Sequence, residues 1–386
     1  MLNKKFFFKN FFTNSKKFQM DLLKTKRVFQ NLKIEIDNFD LPVLRSYGKN
    51  YVFDFDKKMI EKFSKFNNIV IIGMGGSILG TKSIYSYFKK KIKKKIFFFD
   101  NLDINLYLHS SFIKKLKNTC FIIVSKSGNT LETLTNFHLL FSKNLNKSGL
   151  VFITETQDSS LISLANKFNA EVIEYPSFVG GRYSVLSEVS MFPASLMGLD
   201  INKFRNLKML MKNKNFTSML IQHVASINTL NSKGFNNSVI FSYDSNLHDL
   251  GYWYQQLVGE SLGKKGKGIT PILSFGPKDH HSLLQLYLDG PKNKFFTFFK
   301  SVNNDKKNVK LNYIIRAQYN AIKNVFKLKK IPFREIIFKK NSEEEIGSIF
   351  TFFVLETIIL SRLMNVNPFD QPAVEQVKIE TKKFLR

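Results

Sequence analysis

The feature that most constrains this chain is an alternation of short apolar runs with longer segments of helical period. Residues 69–72, 96–99, 121–124, 151–154 and 171–175 are rich in Ile, Val and Phe and read as strands, with helical patterns filling most of the gaps. A second series follows Gly198-Leu199-Asp200, with strand-like runs at 238–243, 269–275, 295–302 and 335–339. A helix between consecutive strands returns the chain to the same end of the sheet, so such strands run parallel. The pattern predicts an α/β protein of two doubly wound domains, each a mainly parallel sheet with flanking helices. A long helical pattern covers 343–364 and ends before Pro368, and a last helix is expected over about 372–384, since Pro372 is acceptable in a first turn. No short-period repeat is present, which argues against a solenoid. The expected division is an N-terminal extension over 1–60 packing on the core, a first domain over 61–199 and a second over 200–386.

Composition removes several classes of function. A chain of 386 residues with 44% hydrophobic side chains has the length and apolar content for two globular domains. The formal net charge of +29 resembles that of a nucleic-acid binder. Lysine is spread along the whole chain, however, and Phe, Asn and Ile are abundant with it, as an AT-rich genome would produce. No nucleic-acid partner is expected. The densest basic run, 89–95, lies between a helix and a strand and reads as a solvated helix end. A basic surface still draws anionic substrates inward. The single cysteine, Cys120, lies in an apolar strand, so neither a disulfide framework nor a Cys-rich zinc site is expected, in keeping with a reducing cytoplasm. Residues 1–20 mix Phe and Lys without the pattern of a signal peptide. The most apolar segment, 349–360, is interrupted by Glu356 and is shorter than the ~20 residues a bilayer requires. A soluble cytoplasmic protein with no membrane contact is expected.

Several segments carry chemistry. The strand at 121–124 runs into Ser125-Lys126-Ser127-Gly128-Asn129-Thr130, and Thr130 opens a helical pattern. Ser125, Ser127 and Thr130 thus gather three hydroxyls where a helix N-terminus presents free N–H groups and partial positive charge, a setting that suits a phosphate. The competing reading is an ordinary hydroxyl N-cap. Residues 69–80 form a strand, a glycine turn and a helix, but their spacing is G-x-G-G-x-x-x-G, not the dinucleotide pattern G-x-G-x-x-G. Asp100 at the next strand end remains readable as a ribose-binding acid, and no Walker lysine follows the glycines. Arg182, beside Gly180 and Gly181, can reach a phosphate or a developing oxyanion. Gln256 and Glu260 are four apart and share one helix face, where a carboxylate can serve as a proton-transfer base. The glycines and lysines at 264–267 read as a mobile loop. His280 and His281 are adjacent and so diverge, which makes them a poor metal pair, and one of them can be an acid–base group. Gln371 and Lys378, seven apart, face one pocket if the last helix already includes Gln371.

Taken together, these segments resemble the glucose-6-phosphate isomerase (phosphoglucose isomerase) family, built from two sugar-isomerase domains. The resemblance runs in the family's order through 73–80, 125–130, 179–184, 256–264, 281–290 and 371–378, and the segments G-G-R-Y-S and Q-x-x-x-E-S-x-G-K carry its specificity. It implies reversible conversion of glucose 6-phosphate to fructose 6-phosphate with no metal and no organic cofactor. By position it assigns Ser125, Lys126, Ser127 and Thr130 to the phosphate, Gly76 and Ser77 to the sugar pocket, and Gln256 to the substrate site. Glu260 takes the base role through a cis-enediol intermediate, which Arg182 stabilises. His281 and Lys378 assist ring opening, Glu132 orients the histidine, and Gln371 contacts phosphate or sugar. A homodimer is implied, with the histidine supplied by the neighbouring subunit. The choice of His281 over His280 rests on register alone.

Overall fold

The computed structural model describes residues 15–103, 117–141, 149–302 and 309–385. Helix α1 (Lys16–Asp37) is capped by Ser15, and α2 (Lys57–Ser64), capped by Asp56, leads into the first sheet. β1 (Asn68–Gly73) is followed by a glycine turn, α3 (Leu79–Phe88) and β2 (Lys95–Phe99). β3 (Thr119–Val124), α4 (Leu131–Leu140), β4 (Leu150–Thr154), α5 (Ser160–Phe168) and β5 (Glu171–Glu174) continue the alternation. The strands are all parallel, in the order β2-β1-β3-β4-β5.

Helices α6 (Glu188–Leu196), α7 (Ile201–Phe204), α8 (Leu207–Lys212) and α9 (Lys214–Asn231) carry the chain to the second sheet. There β6 (Asn237–Ser242), α10 (His248–Leu262), β7 (Thr270–Phe275), α11 (Leu284–Asp289), β8 (Lys294–Ser301), α12 (Val309–Leu328) and β9 (Phe333–Phe338) follow in turn. These strands are also parallel, in the order β7-β6-β8-β9. α13 (Glu343–Leu363) and α14 (Ala373–Phe384) complete the chain. Every strand expected from the apolar runs is present, its ends displaced by a residue or two. The architecture is the α/β fold of two parallel, helix-flanked sheets.

The strands are apolar throughout because both faces of each sheet are covered. Ile69 and Ile71 of β1 join Ile122 and Val124 of β3 on the inner face, while Val70 and Ile72 meet Phe137 and Leu161 from the outer helices. In the second sheet Ile240 and Phe299 face the same inner core, and Val239, Phe241 and Phe298 pack under Tyr319 and Phe326 of α12. The two inner faces therefore feed one continuous core, where α10 packs against both α3 and α13. Cys120 is a buried residue of β3, and burial pushes its thiol well above the ordinary range. α1 packs on α9 and α13, held by Thr229 donating to Asp21 at 2.7 Å and by Arg362 paired with Glu35 at 2.6 Å.

One sequence expectation needs correction. The apolar segment judged too short to span a bilayer belongs to α13, which has 21 residues and a mean hydropathy of 1.7, enough by length and composition. Its packing decides the matter: 83% of that stretch is buried inside the protein. Glu356, which interrupts the apolar run, accepts from Arg334 of β9 at 2.9 Å, with both side chains buried. α13 is a core helix.

The strand order places the site. In the first sheet the chain steps from β1 to β2 on one side and from β3 to β4 and β5 on the other. Loops leaving β1 and β3 diverge at this reversal, opening a crevice at the carboxyl ends of the strands, where ligands of such sheets bind. Gly73 and Val124 are register partners, so the glycine turn and the hydroxyl turn begin side by side.

Candidate active site

The hydroxyl turn is built as a pocket element. Ser125 is buried directly after β3, and Gly128 reverses the chain at φ +64°, a conformation that favours glycine. A Cβ on Gly128 would also fall 2.2 Å from Ser159 Oγ. Thr130 occupies the N-cap position of α4, but its side chain makes no capping bond. Its hydroxyl instead shares a 2.8 Å hydrogen bond with the Ser125 hydroxyl. The ordinary-cap reading of this threonine is thereby corrected: the two hydroxyls face each other at a helix N-terminus, where an anion is favoured. Ser127 is exposed, and its oxygen accepts from the Asn129 N–H at 3.4 Å. Lys126 is directed along the wall: its ammonium donates to the Ser177 carbonyl at 2.6 Å and lies 3.8 Å from Glu155. Burial lowers the Lys126 pKa, and Glu155 opposes that shift. Glu132 sits in the first turn of α4.

Beside this turn the two halves of the chain meet. Residues Gly75–Ser77 form a single tight helical turn after β1, placing half-buried Ser77 at the same crevice, and Gly76 lies directly on Gly181. A Cβ on Gly76 would come 2.1 Å from the Gly181 carbonyl carbon, so only glycine lets the two loops touch. That contact holds Arg182, which is almost wholly buried. Its Nε donates to Ser261 Oγ at 2.9 Å, its Nη1 to Glu260 Oε2 at 2.9 Å and Gln371 Oε1 at 2.5 Å, and its Nη2 to the carbonyls of Asp370 at 3.0 Å and of Pro368. The other Glu260 oxygen accepts from Gln256 Nε2 at 2.9 Å, as the four-residue spacing on α10 requires. Glu260 is thus held on both oxygens while about a third of its side chain, 32%, stays open to solvent. A carboxylate fixed in orientation, accessible and paired with a guanidinium is suited to moving a proton beside a developing negative charge.

Other expected residues fall elsewhere. Gln371 precedes α14, so the helical argument that would aim it and Lys378 into one pocket does not apply. Gln371 reaches Arg182 from the loop, whereas Lys378 is exposed, pairs with Glu375 at 2.6 Å and belongs to a helix with no buried residue. His281 is exposed at the end of a short helical turn, Lys278–His281, while His280 is half-buried. The 264–267 segment is not a free loop. Lys264 and Lys267 form an antiparallel bridge, Lys264 pairs with Asp370 at 2.9 Å, and Lys267 donates to the Met364 carbonyl at 2.9 Å. Asp100, the ribose-acid candidate, is paired with Lys82 at 2.6 Å. Among the described residues no group of three or more His, Cys, Asp or Glu is placed to hold a metal. Sequence reasoning missed Ser261 and Tyr183, whose hydroxyls lie 2.9 Å apart behind Arg182. Their only signal was adjacency to Glu260 and Arg182 within the two most specific segments.

Sequence comparison bears out the family resemblance. The sequence model of phosphoglucose isomerase matches residues 57–331. The chain belongs to the phosphoglucose isomerase family. A glucose-6-phosphate isomerase of Methanocaldococcus jannaschii is 35% identical over 358 residues, covering 86% of this chain and 87% of its own. One from Campylobacter jejuni is 29% identical over 88% of this chain and 92% of its own. Among solved structures, a glucose-6-phosphate isomerase from Chlamydia trachomatis superimposes with a TM-score of 0.70 at 22% identity, over 85% of this chain and 71% of that one. A hypothetical protein of Thermus thermophilus superimposes over the full length of both chains with a TM-score of 0.79 at 23% identity. These two likenesses bear on the fold alone.

Proposed function

We propose that this chain is an intramolecular oxidoreductase interconverting D-glucose 6-phosphate and D-fructose 6-phosphate, with Glu260 as the base. The observation that carries the assignment of roles is the Glu260 carboxylate held between Gln256 and Arg182. In the aldose-to-ketose direction Glu260 removes the C2 proton, and the C2–H electron pair forms the C1–C2 double bond while charge passes to O1. Arg182 stabilises this cis-enediolate. Glu260 then returns its proton to C1, and the O2 hydroxyl proton moves to O1 as C2 becomes the carbonyl. The hydroxyls of Ser125 and Thr130, with Ser127 and Lys126 beside them, anchor the remote phosphate, whose binding energy positions C1 and C2. Gly76 and Ser77 line the sugar pocket, and Gln371 contacts the substrate next to Arg182.

In this reading His281 and Lys378 open the sugar ring, with Glu132 orienting the histidine, and the working unit is a homodimer in which His281 serves the neighbouring subunit. Support comes from the exposure of His281 and Lys378 and from α14, whose Val374, Val377 and Phe384 share one uncovered face at spacings of three and seven. We assign the domain boundaries near 60 and 199, a cytoplasmic location and turnover without metal or organic cofactor.

The test is a coupled assay of fructose 6-phosphate conversion. Glu260→Gln should keep substrate affinity and lose roughly 10²- to 10⁴-fold in turnover, the range for a lost general base. Mixed with inactive His281→Ala and allowed to exchange subunits, it should regain activity, since a hybrid dimer places both defects in one site and leaves the other intact, at about half of normal per hybrid. Near-normal turnover in Glu260→Gln removes the base assignment. Inactive hybrids, seen as dimers by mass spectrometry, remove the shared site.

A further inference from the structure

The Lys278–His281 turn presents two adjacent imidazoles that the fold treats differently. The His280 ring packs edge-on against Phe241 at 5.9 Å and against Tyr243 at 5.7 Å, and its Nε2 is hydrogen-bonded to the Tyr243 hydroxyl. Burial holds the Tyr243 phenol in its neutral, donating form. Burial, and then the neighbouring His281, lower the His280 pKa and favour the neutral ring, while Asp279 works against this. Tyr243 is itself confined. Its ring meets Tyr319 at 5.1 Å, and the Tyr319 hydroxyl donates to Glu335, which pairs with Lys323 at 2.7 Å. A Cβ on Gly276 would lie 2.5 Å from the Tyr243 ring, so the backbone leading into the turn rests on that tyrosine.

A second tie lies on the other side of the turn. Asp279 is buried, its Oδ2 accepting from the Ser274 hydroxyl at 2.8 Å and the Phe275 N–H at 2.7 Å, and its Oδ1 from the Ser282 hydroxyl at 3.0 Å. Ser274 and Phe275 end β7, and Tyr243 follows β6, the adjacent parallel strand. The turn is therefore clamped to two neighbouring strand ends, with His281 left outward and exposed. Short helical turns of this kind have poor internal hydrogen-bond geometry, so their orientation depends on such anchors.

We propose that His280 is a positioning residue whose bond to Tyr243 sets the direction in which the turn presents His281, and that it transfers no proton in ring opening. The proposal rests on the ring-opening role assigned to His281 above. Removing the bond leaves Asp279 as the turn's only side-chain hydrogen-bonded anchor to the strand ends, beside non-directional ring packing. The expected loss is ~10-fold in ring opening, smaller than the roughly 10²-fold of a full 1 Å misplacement.

Ring opening can be read apart from isomerisation, because anomer exchange of fructose 6-phosphate opens and closes the ring without breaking a C–H bond. In full-length protein, His280→Ala and Tyr243→Phe should each slow anomer exchange, followed by NMR, and glucose 6-phosphate turnover by ~10-fold. Affinity for 6-phosphogluconate, which is acyclic, should not change. His280→Gln, whose amide reaches the Tyr243 hydroxyl, should restore most of the rate. The double variant His280→Ala/Tyr243→Phe should be no slower than either single one, as residues acting through one bond are non-additive. Tyr243→Phe keeps the aromatic packing and serves if His280→Ala fails to fold. The proposal is overturned if His280→Ala is as severe as His281→Ala without rescue by Gln, because His280 then moves the proton. It is equally overturned if the His280 and Tyr243 variants are normal while His281→Ala is impaired. Normal anomer exchange in His281→Ala refutes the ring-opening role itself, a separate outcome that removes the premise.

Discussion

The contact between Gly76 and Gly181 makes Gly76→Ala a demanding test of how Arg182 is held. The new Cβ would lie 2.1 Å from the Gly181 carbonyl carbon and 2.2 Å from its oxygen. Non-bonded carbons settle near 3.5–4.0 Å, so the two loops must part by roughly 1.5 Å. Both partners are backbone, and neither can rotate away as a side-chain tip would. Arg182 follows Gly181 directly, and its 2.9 Å bond to Glu260 does not survive a shift of that size. Overpacking of this kind costs about 1–3 kcal/mol in stability. Misplacing a catalytic group by ~1 Å costs on the order of 10²-fold in rate, equivalent to ~2.7 kcal/mol of transition-state stabilisation. The expected result is a folded enzyme with a modestly lower Tm and kcat/KM down about a hundredfold. Gly180→Ala is the control: at φ −70° its added Cβ meets only Tyr183 Cδ2, at 3.5 Å, so it should stay close to wild type. Activity of Gly76→Ala within twofold of wild type would refute the argument that this contact seats Arg182.

Other consequences are open to direct measurement. Ser125→Ala and Thr130→Ala should each raise KM for glucose 6-phosphate, by ~1.5–3 kcal/mol per hydroxyl donated to a charged group. Because the two hydroxyls share a hydrogen bond, the double variant should fall short of the sum, and unchanged affinity for inorganic phosphate would place the anion site elsewhere. Asp279 has its pKa lowered: burial acts against the shift, and the Phe275 N–H and the Ser274 and Ser282 hydroxyls together outweigh it. Its ionised form therefore stabilises the fold above the ordinary aspartate value near 3.9, and that contribution fades as pH falls below it. Asp279→Asn should melt earlier than wild type at pH 7, with the difference closing toward pH 3; a constant gap would contradict the linkage. Treatment with EDTA should leave activity intact, and loss restored by a divalent ion would point to a metal-dependent isomerase.

Much of this protein can be read along the chain, and for a physical reason. Strand and helix periods, the glycine turn, the hydroxyl turn and the Gln256–Glu260 spacing are all local, set by residues within one or two turns of each other. The parallel α/β architecture follows from their alternation, and the family follows from the order of segments. What depends on distant parts of the chain meeting was not legible. The buried Arg182, read from sequence as a loop arginine, gains its partners from residues 260–261 and 368–371. The 264–267 segment, with Gly266 inside it and Gly263 and Gly268 on either side, is flexible by itself but is pinned by carbonyls and a carboxylate more than ninety residues away. α13 has the length and hydropathy of a spanning helix, and only the surrounding core shows where its apolar surface goes. His280 and His281 are chemically identical neighbours in sequence. The side chains that surround each of them, supplied by β6, β7 and the turn between strands, hold one imidazole in place and leave the other free to reach outward.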